Sequence, residues 1–147
     1  MEIELKKFDE LNAKQLYAIY QLRSEVFVVE QNCAYQDIDE VDLDALHLQF
    51  FFDNKLVAYC RIIAPNLKSP YAQIGRVVVS STQRKKGLGK QLMKVAIEKT
   101  LEIYPNHVIH ISAQTYLLRF YRELGFNDTG DTYLEDGIPH VGMDYGK

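Results

Sequence analysis

Arg84-Lys85-Lys86-Gly87-Leu88-Gly89-Lys90 brings four cations and two glycines together within seven residues. Glycine lets a backbone turn tightly, so several N–H groups can be presented to one point. A helix that begins there aims the positive end of its dipole at the same point. Such a segment is a cradle for a phosphorylated ligand. Its alternative use is purely architectural, a tight turn at a helix start.

The elements around it suit a cradle. Ile74-Gly75-Arg76-Val77-Val78-Val79 precedes it, a β-branched run within a strand expected over residues 72–79. Leu88, Leu92, Val95, Ala96 and Ile103 follow at helical spacing, and Pro105 bars the helix from continuing much beyond Ile103. Upstream, residues 2–8 alternate as a strand. Asn12 and Gln15 have the spacing of a capping box, opening a helix expected to run to about Val28 through Leu16, Ile19, Tyr20, Arg23 and Phe27. Residues 30–45 read as an irregular acidic connection. Residues 46–52 and 55–64 form a hairpin turning at Asp53-Asn54. After the cradle come a strand over 107–113, a short helix over 116–124 capped by Gly125, and two strands over 126–134 and 139–145 turning at Asp136-Gly137. The order specifies an α/β (α+β) domain built on a mixed sheet.

The bulk numbers narrow the partners. A chain of 147 residues suits one domain, 1–147, with a real core. A net charge of −3 argues against a nucleic-acid partner and makes the basic cluster a local feature on a mildly acidic body. No apolar run reaches membrane-spanning length, and the first ten residues lack the apolar core of a signal peptide. Cys33 and Cys60 stand apart without a CxxC spacing, so neither a metal site nor a disulfide framework is expected. A cytoplasmic protein is the default, and a homodimer the commonest assembly.

Residue chemistry excludes two phosphate-binding motifs. A Walker loop needs Ser or Thr after its Gly-Lys, where Gln91 stands, and a further glycine upstream. A dinucleotide fingerprint needs a third glycine where Leu92 stands. The pattern that fits is Arg/Gln-x-x-Gly-x-Gly/Ala between a strand and a long helix. In this the chain resembles the GNAT superfamily of N-acetyltransferases, which hold the pyrophosphate of acetyl-CoA on this turn. Gln114 to Phe126, QTYLLRFYRELGF, resembles the same family's second motif. The segments 28–39 and 135–143 resemble its narrower ElaA-like branch, with Ala34 where that branch has Pro.

The resemblance implies a mostly antiparallel sheet flanked by helices, with a splayed V between the fourth and fifth strands. It implies acetyl-CoA as co-substrate, with no metal, and a small-molecule or peptide amine as acceptor. Cofactor contacts would come from the turn (Arg84, Lys85, Lys86, Gly87, Leu88, Gly89, Lys90), from the backbone of Val77, Val78 and Val79, and from Gln114 and Phe120. Gln114 stands where the family usually places Asn. Tyr121 would be the general acid: a departing thiolate, of pKa about 8.5, can take a proton from a phenol at about 10. It could equally pack, as many of the ten tyrosines must. Tyr116 is expected to pack at the core or surface.

Many relatives carry a Glu base on the fourth strand, where this chain offers only Gln73 and Arg76. Glu30, Asp37, Asp39, His110, His140 or a water chain could replace it. The acidic loop could attract a cationic amine or simply be solvated. Cys33 could open a ping-pong route, or act as a small apolar filler. Two other readings stay open: a CoA-binding sensor without turnover, and a non-enzymatic interaction domain.

Overall fold

Seven strands form a single sheet in a computed structural model that describes residues 1–146. In chain order the elements are β1 (Glu2–Lys7), α1 (Ala13–Arg23), α2 (Val41–Asp44), β2 (Leu46–Phe52), β3 (Lys55–Ile63), β4 (Ala72–Val79), α3 (Leu88–Ile103), β5 (Ile109–Gln114), α4 (Leu118–Glu123), β6 (Asn127–Glu135) and β7 (Ile138–Tyr145). Across the sheet they run β1-β2-β3-β4-β5-β7-β6. All neighbours are antiparallel except β4 and β5, which the α3 crossover makes parallel. This is the mixed, mostly antiparallel sheet with flanking helices that the sequence implied.

Pairing between β4 and β5 covers Ala72 with Ile109 and Gln73 with His110, and no further positions. Beyond them the strands part into a V. The helices pack on the two faces of the sheet. Leu88, Leu92, Met93, Ala96 and Ile97 of α3 bury against Ala58, Cys60 and Ile62 of β3 on one face. Ile19, Leu22 and Val26, spaced to share one helical face, meet Tyr59 and Val78 on the other. Both hairpin turns are of the kind that matches strand twist. Asp53 and Asn54 have φ of 50° and 63°, Asp136 and Gly137 of 52° and 77°.

The capping box forms as expected: the Asn12 side chain accepts the Gln15 N–H at 2.8 Å, and Gln15 accepts the Asn12 N–H at 3.0 Å. The helix does not continue regularly to Val28. α1 stops at Arg23, and Ser24–Glu30 widens into a π-helix, with the Gln31 N–H bonding the Val26 carbonyl at 3.1 Å. A wider turn rotates the side chains that follow, here bringing Val26, Phe27 and Glu30 to the cleft. The short helix expected over 116–124 divides into a 3-10 turn, Thr115–Leu117, and α4. β5 begins two residues later than expected and reaches Gln114. No helix among the described residues is long and apolar enough to cross a membrane.

Candidate active site

The V opens into a cleft of about 740 Å³, a size suited to a cofactor-scale ligand. Residues 74–79 of β4 form one wall, and Ile111, Ser112 and Gln114 of β5 the other. The start of α3, Phe120 and Tyr121 of α4, Cys33, Tyr35 and the β6–β7 turn complete the lining.

The start of α3 leaves its first N–H groups open. Gly87 occupies the N-cap position at φ 74° with no side-chain cap, so the first N–H groups of the helix have no side-chain acceptor. Lys85 is also left-handed, at φ 64°, a combination that folds successive N–H groups inward. A Cβ built on Gly87 would meet no atom within 4 Å, so the turn is open in front. The Arg84 guanidinium is engaged twice: it bonds the Val79 carbonyl at 3.3 Å and both carboxylate oxygens of Glu30.

β4 carries a bulge facing the cleft. β3 pairs Arg61 with Gly75 and Tyr59 with Val78, leaving Arg76 and Val77 opposite Cys60 alone. Arg76 takes φ 52°, costly for a residue with a long side chain. Its guanidinium holds the conformation from outside: Nε lies 2.8 Å from Asp37 Oδ1, and an NH2 hydrogen bonds the Asp37 carbonyl at 2.9 Å.

Those contacts belong to a larger network. Arg23, fully buried, donates to Asp37 and Asp42 at 2.8 and 2.7 Å. Arg61 donates to Asp39 and Asp42 at 2.6 and 2.9 Å. Burial opposes the ionisation of Asp42 and Asp39, yet hydrogen bonds and charge from Arg23 and Arg61 hold both carboxyls below their usual range. Three arginines and three aspartates thus neutralise one another. Asp37, Asp39 and Asp42 are therefore not free to attract amines, while Glu40 and Asp44 of the same loop are exposed. Its first half is irregular as expected, but Val41–Asp44 is helical.

A family model for the acetyltransferase (GNAT) domain matches residues 9–146. The chain belongs to that family. Protein ElaA of Escherichia coli is 45% identical over 136 residues, covering 91% of this chain and 89% of ElaA, which places the chain in the ElaA-like branch. The crystal structure of E. coli ElaA superposes with a TM-score of 0.92 at 41% identity, covering 99% of both chains. An acyl-CoA N-acyltransferase from Pseudomonas aeruginosa superposes with a TM-score of 0.94 at 42% identity, covering 99% of this chain and all of that one. An aminoglycoside 6′-N-acetyltransferase solved with coenzyme A shares the fold at 16% identity and a TM-score of 0.71, over 98% and 96% of the two chains.

Within this GNAT frame, the residues singled out from sequence fall as follows. Val77, Val78, Val79, Arg84, Lys85, Gly87, Leu88, Gly89, Lys90, Gln114, Phe120 and Tyr121 all line the cleft. Lys86 does not; it is exposed, with Nζ 3.4 Å from Gln83 Oε1. The Gln114 amide donates to Gln31 Oε1 at 3.5 Å. Tyr121 is buried, with its ring edge-on to Phe120 and Phe126, and burial pushes its phenol well above the ordinary value. Tyr116 is largely exposed at the cleft margin.

Among the candidate bases, Glu30 is held by Arg84, and Asp37 and Asp39 by the arginine network. His110 lies outside the cleft, bonded to Asp144 at 2.6 Å. His140 is the one histidine among the described cleft-lining residues. Sequence reasoning missed Glu135, which the β6–β7 register brings beside His140; its position in a turn-flanking strand gives no signal of this. Cys33 reaches the cleft, its thiol donating to the Asp136 carbonyl at 3.3 Å.

Proposed function

We propose that the protein is an acetyl-CoA-dependent N-acetyltransferase that transfers the acetyl group directly to a primary amine in a ternary complex. The observation that carries this reading is the uncapped start of α3, with left-handed Lys85 and Gly87, opening onto a V-shaped cleft between β4 and β5. The residues present fit the co-substrate. Backbone N–H groups of residues 87–90 would receive its pyrophosphate, with Lys85 and Lys90 adding charge. Val77, Val78 and Val79 would offer backbone groups to its extended arm, with Phe120 beside it. The thioester supplies an activated acetyl group when bound.

The bulged β4 backbone would then donate an N–H to the developing oxyanion, a role in which preorganised donors are effective. Tyr121, whose phenol lines the cleft, would give its proton to the departing thiolate. The similar proteins support this class: one is named an acyl-CoA N-acyltransferase, and a distant fold neighbour was solved with coenzyme A.

Calorimetric titration with acetyl-CoA, followed by thiol release across an amine panel, tests the reading. Absence of binding sinks it. Tight binding without thiol release from any amine would favour a CoA-binding sensor, the alternative suggested by the lack of a carboxylate on β4.

A further inference from the structure

We infer that the part of the cleft lined by the β6–β7 turn receives a cationic primary amine, with Glu135 and His140 holding its ammonium and His140 taking the proton that frees the nitrogen to attack. The inference rests on the acetyltransferase reading above and names the substrate class and base of that same site.

His140 is buried, with Nδ1 2.7 Å from the Ile138 carbonyl. A carbonyl can only accept, so Nδ1 carries the hydrogen, and in the neutral ring Nε2 presents a lone pair. That lone pair lies 3.5 Å from Glu135 Oε2, itself an acceptor. With the ring neutral, two acceptors face each other with no donor between them. A primary ammonium brings three N–H donors and can satisfy both at once.

The pair is braced. The Ser112 hydroxyl donates to Glu135 Oε1 at 3.3 Å, so Tyr133 must donate its own hydrogen to Ser112 Oγ. The Tyr133 ring also stacks beside the His140 imidazole at 6.2 Å. β7 pairs His140 with Gln114, placing the imidazole beside the residue that leads into the segment bearing Tyr121.

Charge in the cleft is divided accordingly. Lys85 and Lys90 stand at the cradle. Glu30 is matched by Arg84, and Arg76 by Asp37 and Asp39. Glu135 and Asp136, on β6 and the turn to β7, have no Lys or Arg ion-pair partner among the described residues. Cys33 and Tyr35 approach from the 31–45 loop, Ser112 and Gln114 from β5, and Arg76 from β4. The lining around the β6–β7 turn is thus net negative and suited to an ammonium.

The step balances. An ammonium N–H bond breaks, its proton passing to Nε2 and its electron pair staying on nitrogen, while Glu135 stabilises the imidazolium. The freed pair forms the C–N bond to the thioester carbon. As the C–S bond breaks, sulfur takes the Tyr121 proton, and the surplus proton of the attacking nitrogen restores the phenol. His140 returns its proton to solvent. The net products are an acetamide, the CoA thiol and one proton.

The test uses CoA-loaded protein and long-range nitrogen–proton spectra of its histidines, with benzylammonium as probe and benzyl alcohol as neutral control. Benzylammonium should shift the His140 Nε2 signal saturably in the wild type and not in Glu135→Gln, while benzyl alcohol leaves it in place. With acetyl-CoA and benzylamine, His140→Gln should slow thiol release about 100-fold and remove the acid limb of the pH profile. Its acetyl-CoA affinity should stay within about twofold, since its binding contacts lie elsewhere. An unresponsive His140, an equal response to the alcohol, or an unchanged acid limb in His140→Gln overturns this inference alone. Failure of the wild type to bind acetyl-CoA overturns the acetyltransferase reading and this one with it.

Discussion

Arg76 Nε lies 2.8 Å from Asp37 Oδ1, tying the left-handed residue of β4 to the 31–45 loop. Asp37 also receives Arg23, so a single carboxylate joins the end of α1, the loop and the cleft wall. Asp37→Asn keeps the shape and removes the charge, leaving two guanidinium groups short of a counter-ion. We expect a loss of about 3 kcal/mol, within the range for breaking a buried pair. Chemical denaturation measures it; a loss under about 1 kcal/mol would mean that Asp39 and Asp42 carry the network unaided.

Gly87→Asp should abolish acetyl-CoA binding. The protein itself leaves space for a side chain there, so no internal clash is involved. The cost comes from a non-glycine residue at φ 74° and from a carboxylate set where phosphate would bind. Calorimetry on variant protein shown to be folded by circular dichroism decides; unchanged affinity removes the cradle assignment.

Tyr121→Phe should lower turnover about 100-fold at saturating acetyl-CoA, with affinity for it nearly unchanged. The ring keeps its packing against Phe120 and Phe126, so only the proton is lost. A large loss of affinity or stability instead would make the residue structural.

Stability should decline on mild acidification because of His47. The ring is fully buried: Asp42 O accepts from Nε2 at 2.9 Å, which leaves Nδ1 to accept from the Tyr59 hydroxyl at 2.6 Å. Burial, helped by the charges of Arg23 and Arg61, lowers its pKa below the ordinary 6.5. Below 6.5 the unfolded chain takes up a proton that the folded one refuses, so stability falls with pH until the folded value is reached. One such group gives a slope of at most about 1.4 kcal/mol per pH unit. Urea midpoints across this window should lose that slope in His47→Gln; an identical slope would assign it to another group.

The strands and the glycine turn that opens α3 were legible because each rests on local chemistry. Residues 46–52 and 72–79 appear as β2 and β4 with the expected bounds, and α3 ends at Ile103 as Pro105 requires. The backbone of Arg76 was not legible: nothing in its type suggests φ 52°, although pairing of its side chain with the acidic loop is one of two readings that the sequence leaves open. Arg23 did leave a trace, a cation on the apolar stripe of its helix, and Arg61 another within an apolar strand. Their partners are set by the path of the loop, which local pattern does not reach. Glu135 and His140 become neighbours only through strand register.

The V also has a mechanical consequence. Two register positions join β4 to β5, whereas six join β5 to β7. The sheet is therefore two leaves on a narrow hinge, β1 to β4 in one and β5, β7 and β6 in the other. A ligand that bonds to both leaves would act as the missing rungs between them. Amide exchange should then slow in both leaves on binding, including at backbone positions far from any contact. The seam that opens the molecule to its ligand is also where the ligand would make it rigid.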